Sequence, residues 1–125
     1  MSTLLDWTRA LQNADGDEEL LIELANVFID EGAEMMRQVR AAIDSRNASE
    51  LQRTAHSLKG SAKIFAASAA TDAALRLEVM GAEGNFKDAP DGWAILQFEI
   101  NGLLAALKAR VDRQRSDETR NEHNS

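Results

Sequence analysis

Leu51-Gln52-Arg53-Thr54-Ala55-His56-Ser57-Leu58-Lys59-Gly60-Ser61-Ala62-Lys63-Ile64-Phe65 (residues 51–65) is the stretch on which the reading of the fold turns. At about 100° per residue, Leu51, Ala55, Leu58, Ala62 and Phe65 fall within about 80° of one another, as in a helix that buries one stripe. A strand would alternate apolar and polar residues, and this stretch does not. On the same wheel His56 points well away from the stripe. Gln52 and Arg53 stand one turn before it, Lys59 and Gly60 one turn after, and Lys63 two turns after, which surrounds the imidazole with a polar, basic face.

The helical period recurs on both sides. The stretch itself extends to a third helix over about 48–66. Upstream, Leu20, Leu24, Phe28, Met35, Val39 and Ala42 share one face of a long second helix over about 17–45. Asp15 or Asp17 caps it, and Glu18 and Glu19 stand in its first turn, where the helix dipole favours acids. A second row, Ile22, Ile29, Met36 and Ile43, recurs every seven residues on an adjacent face. A bundle core needs one apolar face; the second is either covered by a short N-terminal helix or left open for a partner to dock on. That first helix covers about 3–12, with Leu4, Leu5, Trp7 and Leu11 as its apolar members. Downstream, Ala70, Ala73, Ala74, Leu77 and Met80 mark a fourth helix over about 69–82, closed by Gly81 and Gly84. After Pro90, Trp93, Leu96, Ile100, Leu103, Leu107 and Val111 mark a fifth over about 91–114.

Four long amphipathic helices with short connections bury their stripes as an antiparallel up-down four-helix bundle, the short N-terminal helix being an addition at one end or flank. The expected fold is therefore all-α, with one domain over residues 1–115. Ser116–Ser125 has no apolar residue and is expected to be a disordered polar tail.

Composition narrows the function. With 125 residues and 44% apolar content the chain supports one core and is too apolar to be disordered. Without cysteine it has neither disulfides nor thiolate metal sites, which fits a reducing compartment. No signal peptide or 18-residue apolar run is visible, so a cytoplasmic, membrane-free monomer is the expectation. The net charge of −7 argues against nucleic-acid binding. Yet from Leu51 to Thr71 there are three basic residues and no acidic one, which suggests an anionic ligand or partner for this segment.

A neutral imidazole is a nucleophile that can hold a group covalently between two transfers. Lys59, one turn away, is placed to offset the charge of a phosphoryl group on His56. Glycine inside a helix costs about 0.5–1 kcal/mol relative to alanine, so Gly60 beside the histidine suggests clearance for another protein. Each feature alone has an ordinary explanation in surface polarity or helix crowding; together they point to phosphoryl or anion chemistry. His123, in the polar tail, is assigned no role, and Glu31 reads as a hydrogen-bonded bundle residue or one that reaches outward.

Ala55-His56-Ser57-Leu58-Lys59-Gly60-Ser61-Ala62 resembles the signature of histidine-containing phosphotransfer (HPt) domains of two-component phosphorelays. Gly16-Asp17-Glu18-Glu19-Leu20-Leu21, Phe28 and Leu77-Glu78 resemble other parts of that family's pattern, so the likeness spans roughly residues 3–112. Where the family often continues with a small residue, Asn, Leu and Gly, this chain has Lys63, Ile64, Phe65 and Ala66. The resemblance implies a carrier without catalysis of its own. His56 would accept a phosphoryl group from the aspartyl phosphate of one response-regulator receiver domain and pass it to another. Lys59 would support the phosphoryl group and Gly60 would leave room for it. Gln52, Arg53 and Lys63, with Ile29 and Met36 on the second helix, are the expected docking residues. No cofactor or metal is expected in this chain, magnesium being held by the partner receiver. A hybrid histidine kinase is an expected source of such a receiver. Two other readings share the site: the phosphoacceptor module of a chemotaxis-type histidine kinase, and a helical adaptor that has lost transfer.

Overall fold

The computed structural model describes the backbone of residues 5–124 and the side chains of residues 5–116. Among these, all regular structure is helical: α1 (Trp7–Asn13), α2 (Glu18–Asp44), α3 (Ala48–Ile64), α4 (Ser68–Glu83) and α5 (Ala89–Asn124). The four long helices pack in a closed cycle, α2 on α3, α3 on α4, α4 on α5 and α5 on α2, as an up-down bundle. The short α1 lies across the end of α3. The Asp6 backbone N–H donates to Phe65 O at 3.3 Å, and Asn13 Nδ2 donates to Lys63 O and Ile64 O at 3.2 Å each.

Side chains start α1, α2 and α3, and left-handed residues follow the ends of α1 to α4. Asp17 accepts from the Leu20 N–H at 3.0 Å and is the cap of α2. Asp15, the other candidate, has φ 55° and belongs to the turn that closes α1. Asn47 caps α3 by accepting from the Glu50 N–H. At the far end of α3, Ala66 has φ 52°, and the Ala67 N–H returns to Ala62 O at 3.1 Å. At the end of α4 the left-handed residue is a glycine, Gly84 with φ 66°, as is Gly16 with φ 77° in the turn after α1.

On α2 the two apolar rows turn out to be the flanks of one stripe. Its centre is Leu21, Ala25, Gly32 and Val39, with Phe28 stacked on Phe65, the C-cap residue of α3, at 6.0 Å between ring centroids. Leu20, expected in the core, is exposed at the rim. Ile22, Ile29 and Ile43 are half-buried against the core, and Met36 is buried at 7% exposure. This row faces α5: Met36 and Leu104 line one cleft, Ile22 and Gln114 another. The N-terminal helix α1 does touch α2, and α5 covers part of the row as well. Met36, at 7% exposure, offers a partner little surface, and α2 and α5 approach closely one turn away at Gly32, against Leu104.

Small residues set the spacing of α3 and α4. A Cβ at Gly81 would stand 2.5 Å from the Gln52 backbone nitrogen, and Ala70, Ala73 and Ala74 are buried along the same helix. The fifth helix departs from expectation at its end. Its backbone stays helical through the polar stretch to Asn124, where a disordered tail over 116–125 was expected. No proline or glycine follows Gly102 to interrupt it. Ser125 and the side chain of His123 lie outside the described residues.

Candidate functional site: the histidine face of α3

The stripe Leu51, Ala55, Leu58, Ala62 and Phe65 is buried, which fixes the rotation of α3 and turns His56 outward. The imidazole side chain is 66% exposed. Gly60, one turn on, is also exposed, and a Cβ built there would meet nothing within 4 Å. The surface over the ring is therefore open.

Beneath the ring lies a residue the sequence reading did not place. Glu78 of α4 accepts at Oε1 from His56 Nδ1 at 2.7 Å, and its Oε2 lies 2.6 Å from Lys59 Nζ. The carboxylate is 14% exposed and Lys59 17%, so this ion pair is largely shielded while the ring above it is not. The Lys59 ammonium beside it, and secondarily His56, hold the Glu78 carboxyl below the usual glutamate range against the opposing effect of burial. An ionised carboxylate only accepts hydrogen bonds, so Nδ1 carries the ring proton and Nε2 of the neutral ring presents its lone pair to solvent.

Glu78 also revises the acid-free face. Within residues 51–71 there is no acid, but α4 delivers one from the side, and Glu50 delivers another from the preceding turn. Arg53 donates from Nε and Nη2 to the Glu50 carboxylate at 3.1 and 2.7 Å. This exposed pair lowers the Glu50 pKa through the hydrogen bond from Arg53. Gln52 and Lys63 are exposed on the same helix. Ile29 stays half-buried on the α5 side of α2, away from this face, and Met36 is in the core. Instead, Leu24, Val27, Phe28, Glu31 and Met35 line a groove with Ser61, Ile64 and Phe65 beside Gly60. Val27 is the most exposed apolar residue of that groove, and Glu31 takes the outward of its two expected positions. One signal for Glu78 was present in the sequence: it lies at the edge of the alanine-rich stripe of α4, the face that packs closest to α3.

Among the described residues the helical bundle presents one solvent-facing imidazole, its inner nitrogen tied to a carboxylate. The Hpt domain family model matches residues 23–115, and the chain belongs to that family. No curated protein matches it. Two solved structures share the fold. The histidine-containing phosphotransfer protein B (HptB) of Pseudomonas aeruginosa PAO1 is 23% identical, with a TM-score of 0.81 over 90% of this chain and 98% of that one. The HPT domain of a sensor hybrid histidine kinase from Shewanella is 17% identical, with a TM-score of 0.80 over 89% of this chain and 96% of that one. Among the described residues no helix is long and apolar enough to cross a membrane.

Proposed function

We propose that the chain is a cytoplasmic phosphorelay intermediate in which Nε2 of His56 takes a phosphoryl group from a receiver-domain aspartyl phosphate and gives it to the aspartate of another receiver. The observation that carries this reading is the hydrogen bond of Nδ1 to Glu78 beneath a ring that is otherwise open to solvent. It leaves Nε2 as the nucleophile and aims it outward. In the first transfer the Nε2 lone pair attacks phosphorus, and the P–O bond to the donor aspartate breaks with its electron pair returning to that carboxylate. In the second an acceptor carboxylate oxygen attacks phosphorus, and the P–N bond breaks with its pair returning to Nε2.

Such in-line transfer depends on positioning and charge, which a docked receiver with its magnesium supplies, so the chain needs no metal, cofactor or catalysis of its own. The groove beside Gly60, with Val27 and Ile64 on its walls, supplies the apolar part of the docking surface. Gln52 and Lys63 supply its polar rim. Donors include the receiver of a hybrid histidine kinase.

Incubation with a phosphorylated receiver and magnesium tests the reading. An acid-labile, alkali-stable label is expected on the wild type and absent from His56→Gln. Label persisting in the variant would move the acceptor elsewhere.

A further inference from the structure

On the α5 side of α2, away from the histidine face, the two helices part. They approach closely at Gly32, where a Cβ would stand 2.9 Å from Leu104 Cδ2. Two turns on, the Arg40 guanidinium bridges them again, 5.6 Å from the centre of the Trp93 ring. Between these points lies an open cleft of about 290 Å³, about 12 Å long by the helical rise from residue 32 to residue 40. Its apolar lining is Trp93 and Leu104, both half-buried, and the buried Met36. Its rim carries Arg37, Arg40, Gln97 and Asn101, all exposed. The chain holds 21 acids against 14 basic residues, yet no acid lines this cleft.

We propose that the cleft docks an acidic amphipathic helix of another protein, which seats two apolar side chains one turn apart on Trp93 and Leu104 and sets carboxylates on Arg37 and Arg40. The rim donors are only partly spent. Arg40 gives Asp44 its Nε alone, so among the described residues both of its terminal amino groups donate to nothing. The side-chain amides of Gln97 and Asn101 have no hydrogen-bond partner among the described residues either. Arg37 is held by Glu34, but that pair and the Arg40–Asp44 pair both lie in solvent. Exposed pairs contribute little, so an incoming carboxylate exchanges with Glu34 or Asp44 at small cost.

The shape selects a helix. Sites that enclose a small molecule start at about 300 Å³ and bury most of it, whereas this cleft is no larger and stands open to solvent. An extended segment binds by adding to a sheet edge, and the backbone donors of α2 and α5 are spent within their own helices. Apolar side chains one turn apart on a helix are about 5–6 Å from each other, which two anchors can use within the length of the cleft. Because the cleft and His56 lie on different flanks of the bundle, a helix bound here leaves the imidazole open. It tethers the carrier without entering the transfer.

The test uses the full chain, 15N-labelled, and a stapled helical peptide with two leucines one turn apart on one face and glutamates beside them. Titrated at low salt, the peptide should shift the backbone amides of Arg37 and Arg40 and the side-chain amides of Gln97 and Asn101, with a Kd of roughly 100 µM. The amides around His56 and Gly60 should stay in place. The same peptide with glutamine for glutamate should bind about tenfold more weakly, and with lysine more weakly still. Gln97→Glu keeps the side-chain shape at an exposed position and puts a like charge before the peptide, so it should weaken binding about three- to tenfold. Arg40→Gln should do the same, and phosphoryl transfer should keep its wild-type rate in both. Arg40 also packs on Trp93, so Gln97→Glu carries the test if Arg40→Gln does not fold. No shift at these four residues, equal binding of the lysine peptide, or unchanged affinity in Gln97→Glu would overturn the proposal. Shifts there that grow with protein concentration in the absence of peptide would assign the cleft to a second copy of the chain and overturn it as well.

Discussion

Replacing Gly60 with alanine should stabilise the free protein and impair its transfer, two effects that ordinarily do not go together. Gly60 is an exposed interior residue of α3, and a Cβ there finds nothing within 4 Å. Alanine therefore introduces no clash and removes the backbone entropy that glycine loses on folding, a gain of about 0.5–1 kcal/mol. In a domain of this size that is a rise in Tm of about 2–5 °C, and in urea the midpoint moves up with the slope unchanged. The same methyl group occupies the space above the helix one turn from the imidazole, which a docked receiver must enter. Reacting atoms must come within about 3–3.5 Å, and a displacement of about 1 Å costs on the order of a hundredfold in rate. Transfer from a phosphorylated receiver, followed in a single turnover, should fall about ten- to a hundredfold. A less stable Gly60→Ala, or one that transfers at the wild-type rate, would show that no close approach occurs over this residue.

Gly81→Ala should behave in the opposite way on stability. Its Cβ would meet backbone atoms of Gln52 and Ala48 at 2.5 and 2.9 Å, which cannot swing aside. A loss of about 1–3 kcal/mol in urea titration is expected, and an unchanged midpoint would refute the close α3–α4 spacing. Ala66→Gly should add about 1 kcal/mol, because φ 52° crowds an alanine Cβ; a loss would mean that the Ala66 methyl does more in packing than it costs in backbone strain. The folded Glu78 carboxyl titrates below its unfolded value. It therefore contributes stability above the ordinary glutamate range, and that contribution is lost as the pH falls through the lowered folded value. Urea midpoints measured from about pH 7 to about pH 3 should drop less steeply in Glu78→Gln than in the wild type. Parallel curves would deny the ion pair any share in stability.

The α3 stripe was legible because its members are large or lie between large ones, and its burial places His56, Lys59 and Gly60 as the sequence implies. The α2 stripe was misread for the converse reason. Its centre holds Ala25 and Gly32, which do not stand out as apolar, so the bulkier flanks looked like two separate faces. Met36 became a docking residue on paper through that error. The α2–α3 groove, with Val27 on its rim, belongs to the opposite flank. Glu78 was visible as a letter but not as a neighbour, since helical periodicity describes one element and says nothing about what an adjacent helix brings across. The α5 extension to Asn124 escaped because a stretch without apolar residues gives no periodic signal.

The pairing of Arg53 with Glu50 bears on how a partner finds this surface. With Arg53 answered by Glu50 and Lys59 by Glu78, the lone positive side chain two turns beyond the imidazole, Lys63, is left to project a field into solvent from this face. A single charge on an otherwise acidic body is screened within about 8–10 Å at ordinary ionic strength. Long-range attraction therefore contributes little to encounter, and added salt should alter the association rate only weakly. For the proposed receiver partners, discrimination falls to the fit of surfaces once they touch.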